Sequence, residues 1–303
     1  MIGDWVQSWN RFWFESFDPI RWKLFRIAVC LIGFGFYAIR HVDLLEFYTN
    51  RNGFPLEALD DFFKMQWRWS LLREVQSDGI LLALHLLFLA LLLVIAAGWG
   101  RRWITIPTFI LHLLFARLNL AAMYGVDTVM TFFLFSMCFA GTGKPRHPLD
   151  WLFSSVGMRL AQVQVCLIYG FSGLGKLKGV SWWSGEALWG VLANPQLARF
   201  DFSWTAHFPV LIALATSATV YWEIYFPLLI WIPQFRPWWL IIGTMLHLAI
   251  AVMMNLPFFA AIMMSSYFLF LSEREKTIAT RFLNVLGDGL SARIRKIKKL
   301  SQV

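Results

Sequence analysis

Residues 169–188 read YGFSGLGKLKGVSWWSGEAL. They close an apolar run that starts near residue 157, and then they break its pattern. Glycines stand at 170, 173, 175, 179 and 185, Lys176 and Lys178 mark the end of the run, and Trp182, Trp183 and Glu186 follow at once. A helix that only crossed a bilayer would need none of these residues. The run from about 157 to 177 is long enough for that crossing, since roughly 20 residues at 1.5 Å rise span about 30 Å of hydrocarbon.

The same kind of run recurs at about 22–39, 80–99, 103–124, 128–141, 207–231, 238–256 and 258–272. The 303 residues are 58% hydrophobic and 15% charged, whereas soluble domains hold about 45–50% apolar and about 25% charged residues. The expected fold is an all-α polytopic membrane protein of about eight transmembrane helices with interfacial or re-entrant segments. Residues 1–275 form the membrane domain and 276–303 a basic amphipathic cytoplasmic tail. Residues 1–19 set Trp5, Trp9, Phe12, Trp13 and Phe14 among polar ones, the pattern of a helix lying in the membrane interface. Asn52-Gly53 and Pro55 are turn signals in the mixed-charge stretch 41–78. The Trp-rich segment 179–206 is too polar to cross and too aromatic for a free loop, so it reads as interfacial or re-entrant.

The net charge of +9 does not point to nucleic acid, because the basic residues sit in short turns and in the tail. Positive-inside bias explains them. With both termini cytoplasmic, 17 of the 27 Lys and Arg residues fall inside and 8 outside, leaving Arg26 and Arg117 within spans. The expected location is the cell's inner (plasma) membrane, with anionic lipid as the partner of the tail. Residues 1–19 carry Asp4, Glu15 and Asp18 and no long apolar core, so no cleavable signal peptide is expected. Cys30, Cys138 and Cys166 lie in apolar runs without metal or redox spacing. They read as buried, inert thiols, and no metal site is expected.

Ionisable groups inside spans are expensive and usually functional. Arg117 lies two-thirds along the third run, with Asn119 beside it and Asp127 across a short turn. An Arg117–Asp127 pair would either tie two helices or line an outward-facing polar pocket. In the fifth run Gln162, Cys166, Tyr169, Gly173 and Lys176 follow steps of four and three and share one helical face. Gly170, Gly173 and Gly175 let another backbone, or a flat ligand, come close. Lys176 either snorkels to the outer interface or serves as a general base, since an amine held among apolar groups gives up its proton more readily. Glu223 and His247 are expected to pair, as a structural tie or a proton path. His85 and His112 read as satisfied core histidines and His41 as a loop residue.

The sequence resembles the horizontally transferred transmembrane (HTTM) domain family, which includes the membrane domain of vitamin K-dependent γ-glutamyl carboxylase. The likeness covers nearly all of residues 10–275. It rests on FDP (17–19), LFR (24–26), ARLNLAAMYGVD (116–127), QVQVCLIYGFSGLGKLKG (162–179), and Glu223 followed by His247. It implies that Lys176, at the end of a Tyr-x-x-(Ala/Ser)-Gly-x-x-Lys-Leu element, is the base that acts on a vitamin K-like quinol in a pocket open to the outer side. In the carboxylases that quinol reacts with O2 to give a strong base, which removes a glutamate γ-proton before CO2 adds. On this reading Lys176, Tyr169 and Asp127 are candidate catalytic residues. Arg117, Asn119, Gln162, Trp182, Trp183, Glu186, Glu223 and His247 are candidate substrate-binding residues, and a membrane quinol is the implied cofactor. Gly175 stands where the carboxylases have a paired lysine, and Leu120 where they have a histidine. The sequence ends at Val303 without their large lumenal domain, so recognition of a propeptide is not expected. Short members of the family include a maturation factor for a secreted bacterial peptide. The alternative expectation is therefore a non-enzymatic membrane partner for such a peptide.

Overall fold

The computed structural model describes residues 2–15, 17, 19–49, 69–141, 147–196, 198–272 and 277. The turn signals at 52–55 and, apart from Thr277, the basic tail lie outside the described residues. Among those described, the chain is helical and has no strand. In chain order the helices are α1 (Ile2–Phe14), α2 (Pro19–Val42), α3 (Leu44–Tyr48), α4 (Asp78–Ala97), α5 (Arg101–Leu118) and α6 (Gly125–Ala140). They continue with α7 (Pro148–Lys176), α8 (Val180–Trp183), α9 (Ala187–Leu192), α10 (Pro209–Leu229), α11 (Arg236–Met253) and α12 (Pro257–Ser265). Short 3₁₀ turns fill Leu71–Glu74, Leu120–Ala122, Ser203–His207 and Ser266–Phe270.

The helix starts are written locally. Proline opens α7, α10 and α12, where its fixed φ suits the first turn and its missing N–H costs nothing. α7 also has a reciprocal capping box between His147 and Asp150, so it begins nine residues ahead of the expected span. The α4–α5 turn needs glycine. Gly98 has φ 89 and a Cβ there would lie 3.1 Å from the Arg26 guanidinium. Arg26 is buried and donates to the carbonyls of Ile95 and Ala96 in the last turn of α4, where the Ile95 carbonyl also accepts from the Gly98 N–H.

α2, α4, α7, α10 and α11 are long and apolar enough to cross a membrane. α6 and the stretch Pro257–Phe270 are shorter apolar helices, and α5 has 18 residues with Arg101, Arg102 and Arg117 among them. Leu86, Leu87, Leu93, Ile241, Met245 and Leu248 face outward, as side chains against lipid do. Lipid is as apolar as leucine, so the helices gain from close fit rather than from leaving water. Phe25, Phe88, Phe133 and Phe226 fill the centre. Gly157 brings α7 onto α6: a Cβ there would meet the Ser136 carbonyl oxygen at 2.7 Å. α1 lies against α7, with Trp5 and Trp9 exposed on its other side.

Consecutive long helices run antiparallel. One end of the bundle collects the starts of α2, α5, α7 and α11 together with α1. The other end collects Arg40, the starts of α6, α10 and α12, and the segment from α8 to residue 207. A backbone bond from Arg199 to the Met253 carbonyl ties that segment to the end of α11.

Candidate functional site

α7 ends inside the bundle. Gly173, in its last turn, lies against α10, where a Cβ would meet the backbone nitrogen of Ile224 at 2.9 Å and the Glu223 Cβ at 3.1 Å. This approach puts Lys176 beside Glu223. Lys176 Nζ donates to Glu223 Oε2 at 2.6 Å, to Oε1 at 2.9 Å and to Ser172 Oγ at 2.7 Å. The Lys176 side chain is 20% exposed and that of Glu223 13%. The ammonium sits 5.2 Å from the Trp182 ring centre, within cation–π range. Glu223 follows Pro209 by 14 positions, about 21 Å along the helix. The pair therefore lies well along α10 rather than at its start, and the Lys176 ammonium is held by a carboxylate and a hydroxyl. Pro227 lies within α10, and a proline removes the N–H that would bond the carbonyl four residues earlier. In α10 that carbonyl belongs to Glu223, so the helix is weakened where the carboxylate sits.

From the end of α7 the chain runs along the flank of α10. Trp183 Nε1 donates to the Leu177 carbonyl at 2.7 Å. Thr216 Oγ1 donates to the Gly185 carbonyl at 3.1 Å and accepts from Leu188 N at 3.3 Å. Gly185 has φ 80, and its Cβ would stand 2.7 Å from that of Ala213. Only glycine fits there on both counts. Glu186 is exposed, accepts from Ser184, and lines a cleft of about 560 Å³ with Trp189, Thr205 and Val210.

One turn and more below Lys176 is a buried aromatic group. Tyr169 Oη is 3.0 Å from Tyr267 Oη and 3.4 Å from His247 Nε2, and His247 Nδ1 is 2.8 Å from its own Gly243 carbonyl. Nδ1 is then the protonated nitrogen and Nε2 the acceptor. Gln162 donates to the Leu269 carbonyl at 2.8 Å and accepts from Arg159 at 2.8 Å. Of the single face expected for Gln162, Cys166, Tyr169, Gly173 and Lys176, Cys166 borders the apolar groove lined by Val163 and Leu167, and Gln162, Tyr169 and Lys176 make three separate sets of bonds rather than one pocket. The expected Glu223–His247 pair does not form. Close packing at Gly173 hands Glu223 to Lys176, and His247 turns to the two tyrosines.

The expected Arg117–Asp127 pair is replaced too. Asp127 is 1% exposed and is held by Arg40, whose Nη1 and Nη2 reach its two oxygens at 2.9 and 3.1 Å. Tyr37 Oη at 3.0 Å and the Tyr124 N–H at 2.7 Å complete the set. The physical reason is length: α2 runs on to Val42, so Arg40 and His41 lie in the helix rather than in a loop. His41 meets His85, Nδ1 to Nδ1, at 3.0 Å. His112 is satisfied by Thr131 and the Asp127 carbonyl. Arg40 also donates to Tyr48 Oη, and burial pushes that phenol above its ordinary range. Asn119 caps the 3₁₀ turn that follows it and donates to the Phe47 carbonyl at 2.6 Å.

The structure thus brings together Lys176, Glu223 and Trp182, sets Tyr169 and His247 below them, and keeps Asp127 and Asn119 in a different group. Arg40, Tyr267 and Ser172 were missed in the sequence. The signal for Arg40 was its place at the end of a run on the same side as Asp127. No family model, curated protein or solved structure matches the chain.

Proposed function

We propose that this chain is a carboxylase-like protein of the HTTM class, and that its Lys176–Glu223 unit takes a proton from a membrane quinol or similar lipid-soluble acid. The observation that carries this reading is the ion pair itself, half-buried where the end of α7 meets α10 and still partly open. Two desolvated charges are costly. Moving the ammonium proton onto Glu223 removes both and leaves a neutral amine that can accept a proton from a bound hydroxyl. The surroundings fit a flat ring: Trp182 forms a wall, and nothing lies within 4 Å of a Cβ built on Gly175. A bound quinol would supply the acidic hydroxyl and the reducing equivalents. Lys176 would hold the proton, Glu223 and Ser172 would orient the amine, and Tyr169 with His247 would shape the floor.

The same proposal has eight spans, with α5, α6 and Pro257–Phe270 crossing alongside the five longer helices. Both termini lie in the cytoplasm, and the membrane is the inner, plasma membrane. Arg11, Arg21, Lys23, Arg102, Arg159 and Arg236 gather at the end of the bundle that holds α1, which supports this orientation. The cleft at Glu186 and Trp189 favours a second role, recognition of a secreted peptide.

The test is mass spectrometry of lipids and peptides retained by the purified protein, with turnover of added naphthoquinol under O2. Wild type should retain quinone and consume quinol, while Lys176→Met and Glu223→Gln should not consume it. Turnover unchanged in both variants would overturn the base assignment. A retained peptide without quinone would favour the second role.

A further inference from the structure

A groove of about 490 Å³ runs between α7 and α10 on a face that the quinol proposal does not use. Val163, Leu167, Gly170 and Leu174 line it from α7. They follow steps of three and four and so share one face, distinct from that of Tyr169, Gly173 and Lys176. The groove exists because Gly170 has no side chain, since a Cβ there would meet Pro227 at 3.1 Å. Val163 to Leu174 is about 16 Å of helix, near half of the ~30 Å hydrocarbon thickness. It therefore matches the depth of one leaflet.

The groove is apolar along its length and basic at its mouth. Phe12 and Trp231 close the Val163 end. The Arg159 guanidinium lies 4.9 Å over the Phe12 ring and 6.0 Å from that of Trp231. Among the described residues its hydrogen bond goes to Gln162, out of the five donors a guanidinium carries. Arg236 donates to the carbonyls of Ile230 and Trp231. Among the described residues the acid that acts on Arg159 is Glu15, which is exposed, and Arg21 adds a further positive charge. A guanidinium fork over aromatic rings, at the head of a leaflet-deep apolar slot, matches a phosphate joined to an acyl chain.

We propose that this groove binds one anionic phospholipid, with an acyl chain along α7 from Val163 to Leu174 and the phosphate on Arg159. α1 then serves as the wall that holds the lipid in place, through Phe12. The site differs from non-specific attraction of anionic lipid to the tail, because it needs one arginine and one groove.

The full-length protein is purified in mild detergent and offered phosphatidylglycerol or phosphatidylcholine with the same chains, and native mass spectrometry counts the lipid retained. One phosphatidylglycerol per chain should be kept about tenfold more strongly than phosphatidylcholine, the worth of a charge-assisted contact. Arg159→Gln should bring the two lipids level, and Arg159→Lys should keep part of the preference. Leu174→Trp, at the exposed rim, should lower retention of both lipids without a change in melting temperature. Equal retention of the two lipids by wild type, or a preference that survives Arg159→Gln, overturns the site. Retention unchanged by Leu174→Trp overturns the placement of the chain.

Discussion

Asp127 and Glu223 are both carboxylates set among helices, and each faces a cation from a neighbouring helix. Asp127 receives four hydrogen bonds: two from Arg40, one from Tyr37 and one from the Tyr124 backbone. Arg40 spends further donors on Tyr48 and the Ala122 carbonyl. The carboxylate's lone pairs and four of the five Arg40 donors have fixed partners, which leaves this carboxylate little with which to hold a ligand or move a proton. Glu223 has one cation of a flexible type, a proline that weakens its own helix, and part of its surface open. A saturated pair anchors a fold, while an unsaturated one can change partner or protonation. The difference shows that burial of charge alone does not single out a candidate site; the bonds left over separate the two pairs.

The largest expected effect is at the saturated pair. Asp127→Asn leaves Arg40 buried against a neutral amide and breaks a set of bonds that joins α2 to α6. Removing one member of a buried pair costs about 3–5 kcal/mol, so the variant should express poorly and melt far below wild type in detergent. A melting temperature within a few degrees of wild type would show that the anchor reading is mistaken.

Next comes the open pair. Lys176→Met or Glu223→Gln should each cost about 1–2 kcal/mol, since the remaining partner keeps some access to solvent and Ser172 remains nearby. The double variant Lys176→Met with Glu223→Met should recover most of that loss, because no charge is left to desolvate. Its quinol turnover should be nil. A double-mutant cycle on melting temperature measures the coupling. If the same cycle on Arg40 and Asp127 gave the smaller coupling, the ordering of the two pairs would be reversed.

The long helices were legible as hydrophobic runs because spanning or packing in lipid leaves little choice of composition. Helix ends were less so. The start of α7 was hidden by Asp150 and the serines at 154 and 155, although His147, Pro148 and Asp150 spell a helix start. Partner choice was not legible at all. Periodicity places Arg40, Arg117 and Asp127 toward one end of the bundle, but which arginine reaches the carboxylate depends on where α2 stops. Likewise Lys176 and Glu223 stood out separately. Only the contact of Gly173 with Ile224, a matter of register between α7 and α10, joins them and leaves His247 to Tyr169 and Tyr267.

Two glycines of α7 divide the open pair's surroundings into a packed side and a free one. At Gly173 a methyl group would meet Ile224 backbone and side chain below 3.0 Å, so Gly173→Ala must push α7 from α10. Overpacking of this kind costs about 1–3 kcal/mol, and the displacement should uncouple Lys176 from Glu223. At Gly175 the space is empty and φ is not left-handed. Alanine there gains about 0.5–1 kcal/mol of helix preference over glycine. Gly175→Ala should therefore raise the melting temperature slightly. If a ring stacks beside Lys176, the larger Gly175→Leu should leave the fold intact and weaken quinol binding by fluorescence titration. Binding unaffected by leucine would move the ligand away from that side of α7 and leave Trp182 as its remaining wall.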